Sequence, residues 1–315
     1  MANYRKMARQ EPQIGEFIRN RKWVFRGDVL VYEPDISCSA FSTDRAGFRH
    51  STFRGERLSL AECQQRDRFG VVLGASNIFG FGVAGNENVL PSLLAERFGF
   101  PFANLGMPAG NSRNLYTLLM SIFARSAGRL GTVVHFSGGD YSTFCRSSLS
   151  DSIFGSPSPK GDQAKDSGES ANPERQLPGL LAFSSLWTSA IVQACRMYKV
   201  PVVLGHDSTF FDKAAATPVE EEFELGKPAR QSQVRQFANH RKFGDAFYGR
   251  RRETADQLKV PLAGRGLTDA MTFVDEFHCD ANGMLLLADA VGDALAPMLQ
   301  ATREPANARV IASPA

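Results

Sequence analysis

Phe69-Gly70-Val71-Val72-Leu73-Gly74-Ala75-Ser76-Asn77 is the stretch that decides the fold. Its first five residues form a short apolar, β-branched run, which reads as a strand buried on both faces of a parallel sheet. Gly74 ends the run, so Ser76 falls on the turn at the strand's carboxyl end. Open α/β sheets bind their ligands outside those ends. Gly80, Gly82 and Gly85 keep the following loop open. A helix is predicted over residues 88–98, where Val89, Leu93, Leu94 and Phe98 recur at helical spacing.

A partner for Ser76 lies about two hundred residues downstream, in Asp275-Glu276-Phe277-His278. A nucleophilic serine needs a neutral imidazole aimed at its oxygen and a carboxylate to fix the tautomer. An Asp-x-x-His spacing on one short loop supplies both. The three residues form a candidate triad in the order Ser76, Asp275, His278, and chain order does not restrict such triads. Taken singly, Ser76 reads as a turn serine, Asp275 as a helix cap and His278 as a structural histidine. Only their combination points to chemistry.

Between these motifs, strands and helices alternate. Strands are predicted at 69–73, 101–105, 132–136, 200–204 and 272–274, and helices at 115–127, 179–198 and 281–299. That alternation implies a parallel sheet with right-handed crossovers. The expected fold is a three-layer α/β/α domain with a five-stranded, flavodoxin-like parallel sheet over residues 69–305. Residues 1–68 are read as an N-terminal extension with short strands at 29–32 and 51–54, and 306–315 as a tail. Residues 147–178 are rich in Ser, Pro, Gly, Asp and Lys; they are expected to form a mobile loop, read equally as a lid or a linker. Residues 217–259 are expected to be a helical insertion with Val234, Phe237, Ala238, Phe247 and Tyr248 as its apolar stripe. Arg250-Arg251-Arg252 is read as a solvated face.

Composition narrows the function. The chain has 315 residues, 43% of them hydrophobic, and a net charge of +3. So small a charge argues against a nucleic-acid or membrane partner. The N-terminus lacks an apolar leader, and no run approaches the roughly 20 apolar residues of a membrane span. The five cysteines, Cys38, Cys63, Cys145, Cys195 and Cys279, are scattered without a C-x-x-C pair. They fit free thiols in a cytoplasmic protein and offer no metal site. Gly80-Phe81-Gly82-Val83-Ala84-Gly85 matches a dinucleotide-binding pattern, but Asn104 stands where strand two would need an acidic residue. Gly205-His206-Asp207-Ser208 resembles a second nucleophile turn, yet too little sheet follows for Ser208 to serve; His206 is expected to line the pocket. Cys279 is read as packing.

The motifs together resemble those of the SGNH (GDSL-type) hydrolases. Leu73-Gly74-Ala75-Ser76-Asn77-Ile78-Phe79-Gly80 is similar to the first block, with Ala75 where that family has Asp. Phe41 to Arg49 resembles a segment that precedes this block and is expected near the site's mouth. Asn104-Leu105-Gly106-Met107-Pro108-Ala109-Gly110-Asn111-Ser112 is similar to the second block, and the resemblance implies that the N–H groups of Gly110 and Ser76 hold an oxyanion. Asp275 and His278 match the fifth block. The third block departs from the pattern. The family has Gly-x-Asn-Asp, whereas this chain has Gly138-Gly139-Asp140-Tyr141, so the side-chain amide donor is missing. Asp140 is expected at the oxyanion site, protonated by burial or repelling the oxyanion, with Asn77 and Gly139 as further candidates for oxyanion or substrate binding. The resemblance implies a serine hydrolase acting on an ester, thioester or other acyl bond of a small molecule, with no cofactor. The alternatives are an acyltransferase or specialised biosynthetic enzyme of this fold, and a non-catalytic binding module. The sequence sets neither the substrate nor the oligomeric state.

Overall fold

The computed structural model describes residues 8, 12–20, 22–27, 29–108, 110–146, 173–228 and 231–301. The chain opens with helix α1 (Pro12–Arg19), the antiparallel pair β1 (Trp23–Arg26) and β2 (Val29–Tyr32), and the hairpin β3 (Ser51–Phe53) and β4 (Glu56–Leu58). Helix α2 (Leu60–Gln65) leads into β5 (Phe69–Gly74), and the short α3 (Ser76–Phe79) follows directly. Next come α4 (Leu90–Phe98), β6 (Phe102–Gly106), α5 (Ser112–Ser126), β7 (Leu130–Phe136) and α6 (Gly138–Arg146). The remainder is α7 (Pro173–Met197), β8 (Val202–Gly205), α8 (Pro218–Glu222), α9 (Gln231–Leu258), β9 (Leu262–Ala263) and α10 (Ala281–Ala301).

Five strands make one parallel sheet in the order β6-β5-β7-β8-β9. Ranked by position in the chain, that order is 2-1-3-4-5, the flavodoxin-like arrangement. Because side chains alternate along a strand, each strand feeds two cores. Val72, Val134 and Val203 pack with Leu94 of α4 and Val291 and Leu295 of α10. Val71, Leu73, Val133 and Leu204 pack on the other side with Leu115 and Leu119 of α5 and Ile191 of α7. The result is three layers. Val31, Phe48 and Leu58 of the N-terminal segment join the second core, so that segment is packed onto the sheet.

Several expectations need correction. Residues 272–274 are not a sheet strand; the fifth strand is β9, and Phe273 makes only an isolated antiparallel bridge with Cys279. The Phe273 N–H is taken by Glu220 Oε1 at 2.8 Å, and Glu220 is itself held by the buried Lys213 in an ion pair at 2.9 Å. Helix α7 starts at Pro173, six residues earlier than expected, and runs through Pro178. That proline lies in the second turn, where it removes one helical N–H donor. Residues 147–172, the bulk of the expected lid, and the tail 306–315 lie outside the described residues. In α9, Val234 is exposed and Ala238 faces solvent, whereas Phe237, Phe243 and Phe247 are buried. Arg251 is buried too, so the basic triplet is not one solvated face. Helices α7 and α10 are long and apolar enough to cross a membrane, contrary to the sequence reading, but both lie against the sheet.

Arg49 ties the N-terminal segment to the loop after Ser76. Only 2% exposed, it donates to the carbonyls of Phe79, Gly80, Ala40, Val83 and Gly85 and to Asn86 Oδ1. Its guanidinium also lies over the rings of Phe17, Phe41 and Phe79. Burial pulls its pKa down to about 9, which leaves it charged at neutral pH. A lysine has three donors for these six acceptors. Arg49→Lys is therefore expected to lower the unfolding free energy by roughly 3 kcal/mol, at about 1 kcal/mol for each buried acceptor left unpaired. Urea denaturation measures this, and an unchanged midpoint would contradict it.

Candidate active site

The pocket opens where β5, β7 and β8 end. Ser76 begins α3, with Ala75 in extended conformation as the residue before it. Ser76 Oγ lies 2.8 Å from His278 Nε2. His278 Nδ1 lies 2.7 Å from both carboxylate oxygens of Asp275. One tautomer satisfies both contacts: Nδ1 carries the proton and donates to Asp275, and Nε2 accepts from the serine hydroxyl. Asp275 is 1% exposed and also accepts the N–H groups of Phe277 (2.8 Å) and His278 (2.9 Å). Burial works to raise its pKa. The His278 ring and the two N–H donors outweigh that, and the carboxyl sits below its ordinary range. The loop closes through the Val274 N–H, which donates to the His278 carbonyl at 2.8 Å. The Phe81 ring packs on the imidazole with centroids 4.7 Å apart. Thus the arginine clamp on residues 79–85 also sets one wall of the histidine.

The expected oxyanion residues divide. Asn77 and Gly139 line the pocket beside Ser76. Gly110 does not; its N–H donates to the Met107 carbonyl at 3.3 Å. Gly139 stands so close that a Cβ there would strike the Gly110 carbonyl. Asp140 is also misassigned. It is fully buried in the first turn of α6, away from the pocket, and its two oxygens accept the Ser112 N–H and Oγ–H, each at 2.7 Å. Burial pushes its carboxyl up, against the bonds from Ser112 and Ser184 and the field of Arg251. A carboxylate spent on the start of α5 is not available to an oxyanion. Asp140→Asn is accordingly expected to loosen the α5–α6 contact rather than to speed chemistry.

Asp207 is the pocket residue that sequence reasoning missed. It follows β8 and accepts from Asn77 Nδ2 (2.6 Å), Ser137 N (3.0 Å) and Gly138 N (2.7 Å). The Gly-His-Asp-Ser run drew attention to Ser208 and His206 instead. His206 lines a neighbouring cavity, against the Tyr248 ring, and Ser208 lines the pocket but bonds Thr268. The helical insertion supplies His240 and Tyr248 as pocket walls. Cys279 is buried in the core and its thiol is pushed up to about 12 by burial, which fits packing.

No protein-family model and no curated protein matches the chain. Among solved structures, it is similar to the carbohydrate acetylesterase Est24 from Sinorhizobium meliloti, at 14% identity and a TM-score of 0.49, over 73% of this chain and 99% of that one. It is also similar to the native aryl esterase of M. smegmatis, at 13% identity and a TM-score of 0.48, over 73% and 99%. A third is a carbohydrate acetylesterase family member from Sinorhizobium meliloti, at 14% identity and a TM-score of 0.44, over 74% and 98%.

Glu276, next to Asp275, provides a pH-dependent readout of the loop. Its carboxyl is buried and its pKa is raised from 4.5 to about 7, first by burial and then by the Asp275 charge. An acid with a raised folded pKa binds protons better folded than unfolded. Its contribution is complete below about pH 4.5 and fades as pH rises through about 7. Glu276→Gln removes this contribution. Across that window the variant is expected to gain stability relative to wild type as pH rises, measured by urea midpoints; parallel pH profiles would contradict it.

Proposed function

We propose that the chain is a serine-dependent hydrolase of an ester, thioester or other acyl bond in a small molecule. The observation that carries this reading is the continuous relay from Ser76 Oγ through His278 to Asp275. Ser76 Oγ attacks the acyl carbon while its proton passes to His278 Nε2. When the tetrahedral intermediate collapses, the leaving group departs with that proton and an acyl-serine remains. Water then attacks the ester, gives a proton to the same nitrogen, and releases the acid as the serine oxygen recovers its proton. Asp275 keeps the ring oriented and stabilises its transient positive charge.

The oxyanion needs donors in place before the reaction. The backbone N–H groups of Ser76 and Gly139 suit this role. They lie at the first turns of α3 and α6, and among the described residues neither has a hydrogen-bond acceptor. A carboxylate at the oxyanion site would favour a specialised acyl transfer over plain hydrolysis. Asp140 faces Ser112 instead. The intact relay favours an enzyme over a binding module.

Turnover of an activated ester such as p-nitrophenyl acetate tests this. Ser76→Ala and His278→Ala are each expected to lower kcat by about 10⁴-fold or more, and the double variant no further, because triad members act as a unit. Asp275→Asn is expected to have an equal or smaller effect. Wild-type turnover by Ser76→Ala would contradict the assignment.

A further inference from the structure

The side-chain amide missing from the Gly138-Gly139-Asp140 segment has a counterpart elsewhere in the pocket. Asn77 follows the serine directly and lines the same pocket. Its Oδ1 accepts the Ile78 N–H at 2.9 Å, which leaves the NH₂ end of the amide facing Asp207. Nδ2 donates to Asp207 Oδ1 at 2.6 Å. One amide proton is committed in this way. Among the described residues, no acceptor takes the other.

Asp207 is itself held firmly. It is 4% exposed, and its Oδ2 accepts the N–H groups of Ser137 and Gly138 at 3.0 and 2.7 Å. Its carboxylate sits where a side chain at residue 138 would project, so a Cβ on Gly138 would collide with it. Burial pushes its carboxyl up, and Arg251, Asn77, Gly138 and Ser137 pull against that. Asp207 thus joins the ends of three elements: α3 through Asn77, α6 through Gly138, and its own strand β8.

Resting on the serine reading above, we propose that the Asn77 side-chain amide is an oxyanion donor in this pocket, and that Asp207 is the positioning residue that aims it. Asn77 reaches the substrate oxygen; Asp207 acts only through Asn77 and the Gly138 turn. An amide fixed before the reaction stabilises the developing charge without reorganising. The carboxylate that fixes it is screened from that charge by its own three N–H donors.

A charge-and-amide swap separates this role from simple structural pairing. Asn77→Asp sets two carboxylates face to face and is expected to lower both Tm and kcat. Adding Asp207→Asn restores a hydrogen bond between the two residues, since Asn donates to the new Asp and still accepts from Ser137 and Gly138. Tm is expected to recover in the double variant and kcat is not, because residue 77 no longer carries a donor. Asn77→Ala, which removes a single side chain, is expected to lower kcat for p-nitrophenyl acetate by about 10²-fold with little change in KM. Ser76→Ala, run alongside, tests the serine reading separately: if it is active, that reading fails. Recovery of wild-type kcat in the swapped double variant, or an Asn77→Ala enzyme with wild-type kcat, would overturn the role proposed for Asn77 and Asp207.

Discussion

The buried guanidinium of Arg251 is the contact on which the rest of the site depends. A parallel sheet leaves the carbonyls at its strand ends without partners inside the sheet, and buried polar groups must find some. From α9, Arg251 donates to the His135 carbonyl at the end of β7, to the Gly205 carbonyl at the end of β8, and to Ser137 Oγ between strand and helix. Gly138 and Asp207, three and two residues beyond those carbonyls, line the pocket. Burial lowers the arginine pKa, and the nearby carboxylates of Asp207 and Asp140 oppose that shift. One cation therefore fixes two strand ends and balances two buried acids.

The other half of the pocket hangs from Arg49. Its bonds to the carbonyls of residues 79–85 hold the glycine-rich loop closed. That loop presents Phe81 to the His278 ring. Two buried arginines, one from the N-terminal segment and one from the helical insertion, thus stabilise the two flanks of a single relay. The segments outside the repeating strand–helix pattern supply the rigidity that the short loops after β5 and β7 lack.

Much of this was legible in the sequence because the signals are local. Val71 to Leu73, Val133 to Phe136 and Val202 to Leu204 are short, largely apolar runs rich in β-branched residues, which read as buried strands. Ser76 directly after β5 and the Asp275-x-x-His278 pair are short motifs, and the structure brings them within hydrogen-bond distance. What was not legible depends on packing between distant segments. Arg251 looks like its neighbours Arg250 and Arg252 until the face of α9 is known. Asp140 occupies a position that resemblance assigns to the oxyanion, but Ser112, 28 residues earlier, captures both of its oxygens. Asp207 carries no motif of its own, and its role emerges only from three donors that converge on it. The fifth strand was misplaced because Leu262 and Ala263 are too few to give a periodic signal.

The central claim is that Ser76 is a nucleophile activated by His278. The most direct measurement is intact-mass and peptide-map analysis of the purified chain after exposure to a fluorophosphonate. The relay predicts one phosphonyl adduct per chain, on the peptide carrying Ser76, and its loss in His278→Ala. An adduct on Ser208 or another serine with Ser76 unmodified, or no adduct in a protein that still turns over ester, would contradict it.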